Sequence, residues 1–548
     1  MGRKKTVTAN APKGATGAPN GNGSSLKDLL KELWEAAVNL RGSIEPADYK
    51  RYVLPIIFLR FLSLRYERRR AELEALIADP KSTHYTTNAR HAAAILKSPD
   101  EYQAGGAFIV PEEARWPKIV EAARKDDIRL HLDNVLEMIE TAYPKQLRGL
   151  LPRIYAGSNL DAENLRGLIN LFSKEVFERD HGGTDVIGRV YEYFIGEFAS
   201  SEGKRGGEYF TPESIVKVLV AMLEPSRGVV YDPCCGSGGM FVQSDVFTKH
   251  NHELSFVGQE SKDFTYRLCR MNLFIHGIEG NIGLGNSYFN DQHATVKADY
   301  ILANPPFNDG AKGENGWGAD RVPDKDPRLT VGNAKLPLSA RNANTMWMMH
   351  FLYHLKPGGT AGFVMATGEL SNSETARLEV RKTLIENEFV DCVVQLTGQL
   401  FANTQIPCCL WFLSKSRGGG GGKRKRTGEI LFIDGRKLGA LIPGSRKQKQ
   451  LTAEEIEKVA AVYREFRRKG APPEQPGFCK AATLEEVRGH KYALTPGRYV
   501  GSAEVDDDGE PFEDKLLRLT AQLTAQMQES AKLDQAISAI LEEVANAG

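Results

Sequence analysis

Asp299-Tyr-Ile-Leu-Ala-Asn-Pro-Pro-Phe307 is the stretch from which the rest of the chain can be read. Tyr300 to Ala303 is a short apolar run of the kind that forms a strand buried on both faces. It stops at Pro305 and Pro306, which have fixed φ and no N–H, so the carbonyls around them point in few directions. Asn304 adds an amide and Phe307 an aromatic face. At the end of a strand this cluster suits a flat ligand with an exocyclic amino group: two acceptors take the amine hydrogens and the ring stacks on Phe307. Taken alone, the tetrapeptide is equally compatible with a plain strand end and a Pro-Pro loop. Its position relative to two upstream stretches decides between them.

The first is Gly228-Val-Val-Tyr231, a strand running into Asp232-Pro-Cys-Cys-Gly-Ser-Gly-Gly239 and then a helix through Phe241 and Val242. Strand, glycine loop and helix open a doubly wound α/β nucleotide-binding sheet. The second is Leu254-Ser-Phe-Val-Gly258, a strand ending on Gln259-Glu260. Glu260 lies 22 residues after Gly238, where such folds bond ribose hydroxyls. Three strand ends therefore bring Asp232, Glu260 and Asn304 to one edge of the sheet. The loop lacks the full Gly-x-Gly-x-x-Gly spacing, and Asp232 would repel a pyrophosphate. Its carboxylate fits a ligand carrying an ammonium and a sulfonium. S-adenosylmethionine is thus the expected cofactor, held by Asp232, Cys235, Gly236, Ser237, Gly238 and Glu260.

Asn304-Pro305-Pro306-Phe307 resembles the catalytic motif of the methyltransferases that act on the adenine amino group in DNA. The resemblance implies that Tyr209, Phe210, Thr211 and Pro212 line the methionine side of the cofactor pocket. It also implies that Asn286, in the Gly285-Asn286-Ser287 turn, contacts the cofactor's adenine. Two residues depart from the family pattern: Cys234 stands where Ala or Thr is more usual, and Asn286 where Asp is frequent. Leu33-Trp-Glu-Ala-Ala-Val-Asn-Leu-Arg-Gly42, Tyr49-Lys-Arg-Tyr-Val-Leu54 and Ile57-Phe-Leu-Arg-Phe61 resemble the N-terminal helical domain of type I restriction–modification methylation subunits. Tyr492-Ala-Leu-Thr-Pro-Gly-Arg-Tyr-Val500 is similar to that family's closing segment. The resemblance implies double-stranded DNA as substrate and a separate specificity subunit to read it. It also implies a second methylation subunit and room for a motor-nuclease subunit. Close variants of Asn-Pro-Pro also serve enzymes that methylate protein glutamine or RNA bases, and a silent scaffold could retain the fold. Phe307 in place of Tyr, the helical domain and three intact strand-end residues favour the DNA reading.

The other stretches set the frame. A chain of 548 residues requires two or three domains. A net charge of +1 gives no overall nucleic-acid signature, so DNA contact must come from local basic patches or a partner. Seven cysteines without a repeated Cys-x-x-Cys spacing argue against a disulfide framework or a zinc site and for a reducing cytoplasm. No stretch predicts a membrane span. Residues 1–24 are expected to be disordered and 25 to about 165 helical. Residues 166–480 should form the methyltransferase domain, and 481–548 a closing segment and helical tail. Within these, Ser25 reads as a helix cap and Pro55 as a helix start or kink. Ser201–Gly207 reads as a flexible loop, and Thr211 as the cap of a helix over Ile215–Leu223. Asn308–Pro327 is expected to be a mobile substrate loop, and Lys423-Arg-Lys-Arg426 a solvated hairpin tip. Leu516, Leu519, Leu523, Met527, Leu533, Ile537, Ile540 and Val544 form a seam for a partner helix.

Overall fold

The computed structural model describes residues 26–546 except 43, 126–127, 175–176, 178–182, 202–210, 252, 311–316, 402–404, 421–422, 443–444, 446, 469 and 503–511. The segments 1–24 and 202–207, with Ser25, lie outside the described residues.

The N-terminal part is all helix. Leu26–Asn39 buries Leu30, Leu33 and Ala37 on one stripe, and Trp34 meets Phe194 and Phe198 edge-on at 5.3 and 4.7 Å. Pro46–Ala78 is one unbroken helix of 33 residues with Pro55 in its interior. The helix does not start at Pro55, one of the two outcomes expected there. Every side chain from Val53 to Leu64 is buried, and that packing offsets the roughly 3 kcal/mol an interior proline costs. Even Arg60 is enclosed, its guanidinium 5.3 Å from the Trp116 ring. The helices Trp116–Ala122, Ile128–Ala142, Ala162–Phe172 and Gly183–Ser201 complete this core. It continues without a gap onto Leu268, Met271 and Ile275 of the helix Asp263–Ile275, which belongs to the sheet region.

The second part is built on a ten-stranded sheet. Its strands are β1 Gly228–Asp232, β2 Leu254–Glu260, β3 Gly280–Leu284, β4 Ala298–Ala303 and β5 Leu355–Ala366. They continue as β6 Val390–Leu396, β7 Cys408–Ser414, β8 Glu429–Gly435, β9 Glu474–Gln475 and β10 Cys479–Thr483. In space they run β9-β10-β8-β6-β7-β5-β4-β1-β2-β3. The order 3-2-1-4-5-6 is the doubly wound one, with antiparallel β7 inserted between β5 and β6. The strands β4, β6 and β7 read as apolar runs because both faces are covered. One layer of core lies around Trp347 and Phe363, the other around Leu219 and Tyr463. Strand β3, with two glycines in five residues, carried too weak a β signal to be read from the sequence.

The Lys423–Arg426 tip corrects the sequence reading in part. Lys423 and Lys425 are exposed, but Arg426 is buried and reaches Asp391 at 3.0 Å through Nε. Arg417 Nε lies 3.1 Å from the same carboxylate, and the Tyr463 hydroxyl donates to it at 2.8 Å. An acid at the start of β6 thus folds the basic tip inward, which a charge count along the chain does not show. The arrangement predicts that Asp391→Ala leaves two enclosed guanidinium groups without their counter-ion. We expect a loss of about 3–5 kcal/mol in denaturant unfolding. Tyr463→Phe, which removes one hydrogen bond, should cost about 1 kcal/mol.

Candidate active site

The strand order reverses between β1 and β4, and ligands of open α/β sheets sit in the crevice at that point. Register sets its shape. Asp232 pairs with Gly258 of β2, and Tyr231 with Ile301 of β4. Asp232 therefore ends two residues short of Glu260 on one side and of Asn304 on the other, about 6–7 Å set back. The acid forms the floor and the other two residues the rims.

The glycine loop follows directly from β1. The Cys234 N–H donates to Asp232 Oδ1 at 3.0 Å, and the Gly236 N–H donates to Glu260 Oε2 at 3.1 Å. Gly236 and Gly238 have φ of +54° and +83°, the left-handed region in which glycine has no steric cost. Among the described residues, a side chain at Gly236 would meet no atom within 4 Å. At Gly238 it would press on the Cys269 thiol at 3.0 Å. Cys235 is buried, with its sulfur 3.8 Å from that of Cys269, and the Ser237 carbonyl accepts from the Asn272 side chain at 2.9 Å. Asn286 stands just beyond β3, where its side chain accepts from the Tyr288 N–H at 2.9 Å; the Gly285 N–H ties the turn to the Glu260 carbonyl.

Across the switch point, Asn304 and Phe307 are half-buried and Pro305 is buried. The Asn304 side-chain amide donates to the Thr211 hydroxyl at 3.0 Å, across 93 residues of sequence. This corrects the reading of Thr211 as a helix cap. The helix Glu213–Leu223 has Pro212 at its N-cap position and no side-chain cap, because the threonine hydroxyl turns to the sheet edge instead. Tyr209 and Phe210 lie outside the described residues. Phe307 meets Phe401 edge-on at 6.2 Å.

The residue after the motif, Asn308, has φ +54°, an uncommon conformation that asparagine tolerates best after glycine. A polar cluster holds it there. Its N–H donates to Asn344 Oδ1 at 2.9 Å, and its own Oδ1 accepts from Asn342 and Asn344 at 2.9 and 3.1 Å. Asn344 also donates to Glu369 at 2.7 Å, and Arg377 pairs with Glu369. Sequence reasoning missed this cluster and the Thr211 bond. Only the pattern Asn342-Ala-Asn344 ahead of a helix, a local cap signal, could have pointed to it.

Beyond Asn308 the loop expected to be mobile is tied to the core at Trp317 and Val322, while residues 320–321 and 323–325 are exposed. Trp317 is 1% exposed and donates to the Ser339 carbonyl at 2.8 Å. Arg328 donates to the Ser287 and Tyr288 carbonyls at 2.6 and 2.7 Å. Residues 311–316 lie outside the described residues. His350, His354 and Asp291 cluster nearby, but His350 is engaged by Arg328 at 3.1 Å and by the Tyr231 hydroxyl at 3.1 Å. Burial and the neighbouring His354 and Arg328 charges hold its pKa well below the usual imidazole range. A guanidinium at that distance disfavours a metal cation, and the cluster reads as a buried fastening of this arm to the sheet.

Burial pushes the Asp232 carboxyl up to about 7, with the Glu260 charge adding to the effect and the Cys234 N–H opposing it. Among the described residues Asp232 has no cationic partner. An enclosed acid at the foot of a crevice rimmed by glycine is suited to a ligand that brings its own positive charge, as S-adenosylmethionine does. These features define an α/β methyltransferase of the S-adenosylmethionine-dependent class.

Comparison with known proteins takes the assignment to a family. The N-6 DNA Methylase family matches residues 182–508, and the HsdM N-terminal domain matches 29–172. The MjaIX methylase subunit of a type I restriction enzyme, from Methanocaldococcus jannaschii, is 40% identical over 94% of this chain and 91% of its own. The HindI methylase subunit from Haemophilus influenzae is 40% identical over 78% of this chain and 97% of its own. In fold, the chain is similar to the type I restriction–modification methyltransferase subunit from Streptococcus thermophilus. The TM-score is 0.69 at 24% identity, over 87% of this chain and 100% of that one. The chain belongs to the N-6 DNA methylases, among the methylase subunits of type I restriction enzymes. It is accordingly an adenine-specific, S-adenosylmethionine-dependent DNA methyltransferase. The protein-glutamine, RNA and silent-scaffold readings are left without support.

The raised Asp232 pKa has a definite sign. Without cofactor, the folded protein holds a proton that the unfolded chain releases above about pH 4. Asp232 therefore makes folding less favourable as pH rises from about 4 through about 7. A cationic ligand reverses this, because it binds the ionised form. Cofactor affinity should be about tenfold weaker near pH 6 than near pH 8 by calorimetric titration. Asp232→Asn should flatten that dependence, weaken binding at the higher pH, and raise the thermal midpoint of the cofactor-free protein there.

Proposed function

We propose that Asn304, Pro305, Pro306 and Phe307 hold an adenine extruded from double-stranded DNA, and that this chain methylates its exocyclic nitrogen. The bond from the Asn304 amide to the Thr211 hydroxyl carries the reading, because it holds that side chain at the edge of the crevice where the strand order reverses. Asn304 Oδ1 and the Pro305 carbonyl accept the two amine hydrogens. This localises a lone pair otherwise delocalised into the ring and aims it into the crevice. Pro306 keeps the two acceptors in a fixed relation, and Phe307 stacks on the base. That stacking is worth on the order of 1–3 kcal/mol against the few kcal/mol that extrusion costs. When bound, S-adenosylmethionine supplies an electrophilic methyl group on sulfur.

Asp232 faces the cofactor's positive charge, and Glu260, one β-strand over, takes the ribose hydroxyls. Cys235, Gly236, Ser237 and Gly238 form the wall between them, Asn286 borders the cofactor's adenine, and Tyr209 to Pro212 line the methionine side. Neither acceptor on the amine is a base at neutral pH, so the proton leaves to water after transfer.

We infer further that a separate specificity subunit selects the DNA site, that two copies of this chain flank it, and that the assembly leaves room for a motor-nuclease subunit. The terminal helix supports this. Phe512–Asn546 runs 35 residues, and Leu516, Leu519, Leu523, Met527, Leu533 and Ile537 are each 47% or more exposed. An apolar seam of that length is suited to a partner's helices. No helix among the described residues is long and apolar enough to cross a membrane, and the reading places the complex in the cytoplasm with its DNA.

Asn304→Ala should abolish methyl transfer to DNA in a radiolabel assay while leaving the cofactor dissociation constant near that of the parent chain; retained transfer would refute the role. Removing residues 510–548 should prevent co-purification with the specificity subunit without altering the thermal midpoint of the remainder. Undiminished co-purification would refute the helix assignment.

A further inference from the structure

Asp391 holds Arg417 and Arg426 inside the fold, but the next basic stretch does not fold inward. Residues 436–450 contain Arg436, Lys437, Arg446, Lys447 and Lys449 and no acidic side chain. The stretch leaves the end of β8 and returns as a two-stranded hairpin, Ala440–Leu441 against Lys449–Gln450. Arg436 is engaged by Asp434 at 2.6 Å. Lys437 and Lys447 are exposed, Lys449 is half-buried, and none of the three has an acidic partner among the described residues. A merely solvated basic face is ordinarily interspersed with acids, and this one is not.

Its place in the fold gives the charge a direction. β8 runs parallel to β6, and β6 and β5 both pair antiparallel with β7, so β8 and β4 end on the same edge of the sheet. Four strand steps separate them, about 19 Å. Contacts link the hairpin to the motif across that span. The Lys449 N–H donates to the Gln399 carbonyl at 2.8 Å, and a side chain on Gly439 would touch the Thr397 methyl at 3.0 Å. Two residues past Gln399, Phe401 packs on Phe307.

We propose that Lys437, Lys447 and Lys449 form a phosphate clamp that grips the DNA backbone beside the extruded adenine. The inference rests on the DNA reading above. At 3.4 Å per base along a strand, 19 Å corresponds to about six base pairs, so the contacted phosphates lie within about half a helical turn of the target base. The clamp contributes sequence-independent affinity and register, while selection of the site stays with the specificity subunit.

The test uses the assembled methyltransferase complex and duplex DNA containing its site. The triple variant Lys437→Gln/Lys447→Gln/Lys449→Gln should bind DNA at least tenfold more weakly at about 150 mM salt, and its salt slope should fall by two to three. Cofactor affinity and turnover at saturating DNA should stay as in the parent complex. The triple Lys→Arg variant should restore binding. An unchanged salt slope would overturn the proposal, and so would a variant complex that dissociates, since the lysines would then serve a partner subunit. A parent complex that transfers no methyl group to DNA would instead overturn the reading beneath it.

Discussion

Everything in the catalytic half depends on β1 and β4 lying side by side at the point where the sheet reverses its order. Parallel pairing of Val230 with Tyr300 and Tyr231 with Ile301 leaves no freedom in where Asp232 and Asn304 stand relative to each other. A slip of β4 by one residue would turn its side chains to the opposite faces, and both faces are filled. The separation between the acid at the foot of the crevice and the amide at its rim is thus set by main-chain hydrogen bonds. It does not depend on side-chain rotamers.

The motif is held from outside the sheet as well. Thr211 anchors Asn304 from one side of the crevice, and the Asn342, Asn344 and Glu369 cluster anchors Asn308 from the other. Asn308 sits in a conformation that costs a non-glycine residue about 1 kcal/mol or more, and the surrounding amides hold it there. In the proposed mechanism a backbone carbonyl meets an amine hydrogen in the transition state, and two-sided support of this kind supplies the rigidity that contact needs. The arm that follows is fastened by Trp317 and Arg328, so the polypeptide leaving the motif is tied down before it returns at Asn342.

The two halves of the molecule are joined by apolar contact. The helix Asp263–Ile275 lies beneath β2 and contributes Leu268, Met271 and Ile275 to the core of the N-terminal helices. The cofactor crevice is therefore backed by a helix whose far face belongs to the helical region. At the other end of the chain the apolar side chains described for the terminal helix are exposed. A 35-residue helix of this kind is stabilised by what it binds far more than by its own propensity.

The sequence by itself determined the strand–glycine loop–helix unit, the acid after β2, the apolar strand before Asn304 and the class of cofactor. Each is a local pattern in which residue type and backbone demand coincide: glycine where φ is positive, β-branched and apolar runs where both faces are covered. It left a helix start open at Pro55, because a breaker's local cost says nothing of the packing that outweighs it. It misread Arg426, because the carboxylate that encloses it lies 35 residues away. The bond from Asn304 to Thr211, the support of Asn308 and the alignment of the 436–450 hairpin with the catalytic edge were decided only by the tertiary structure. Each joins residues far apart along the chain, and such partners meet only after the sheet has fixed its strand order.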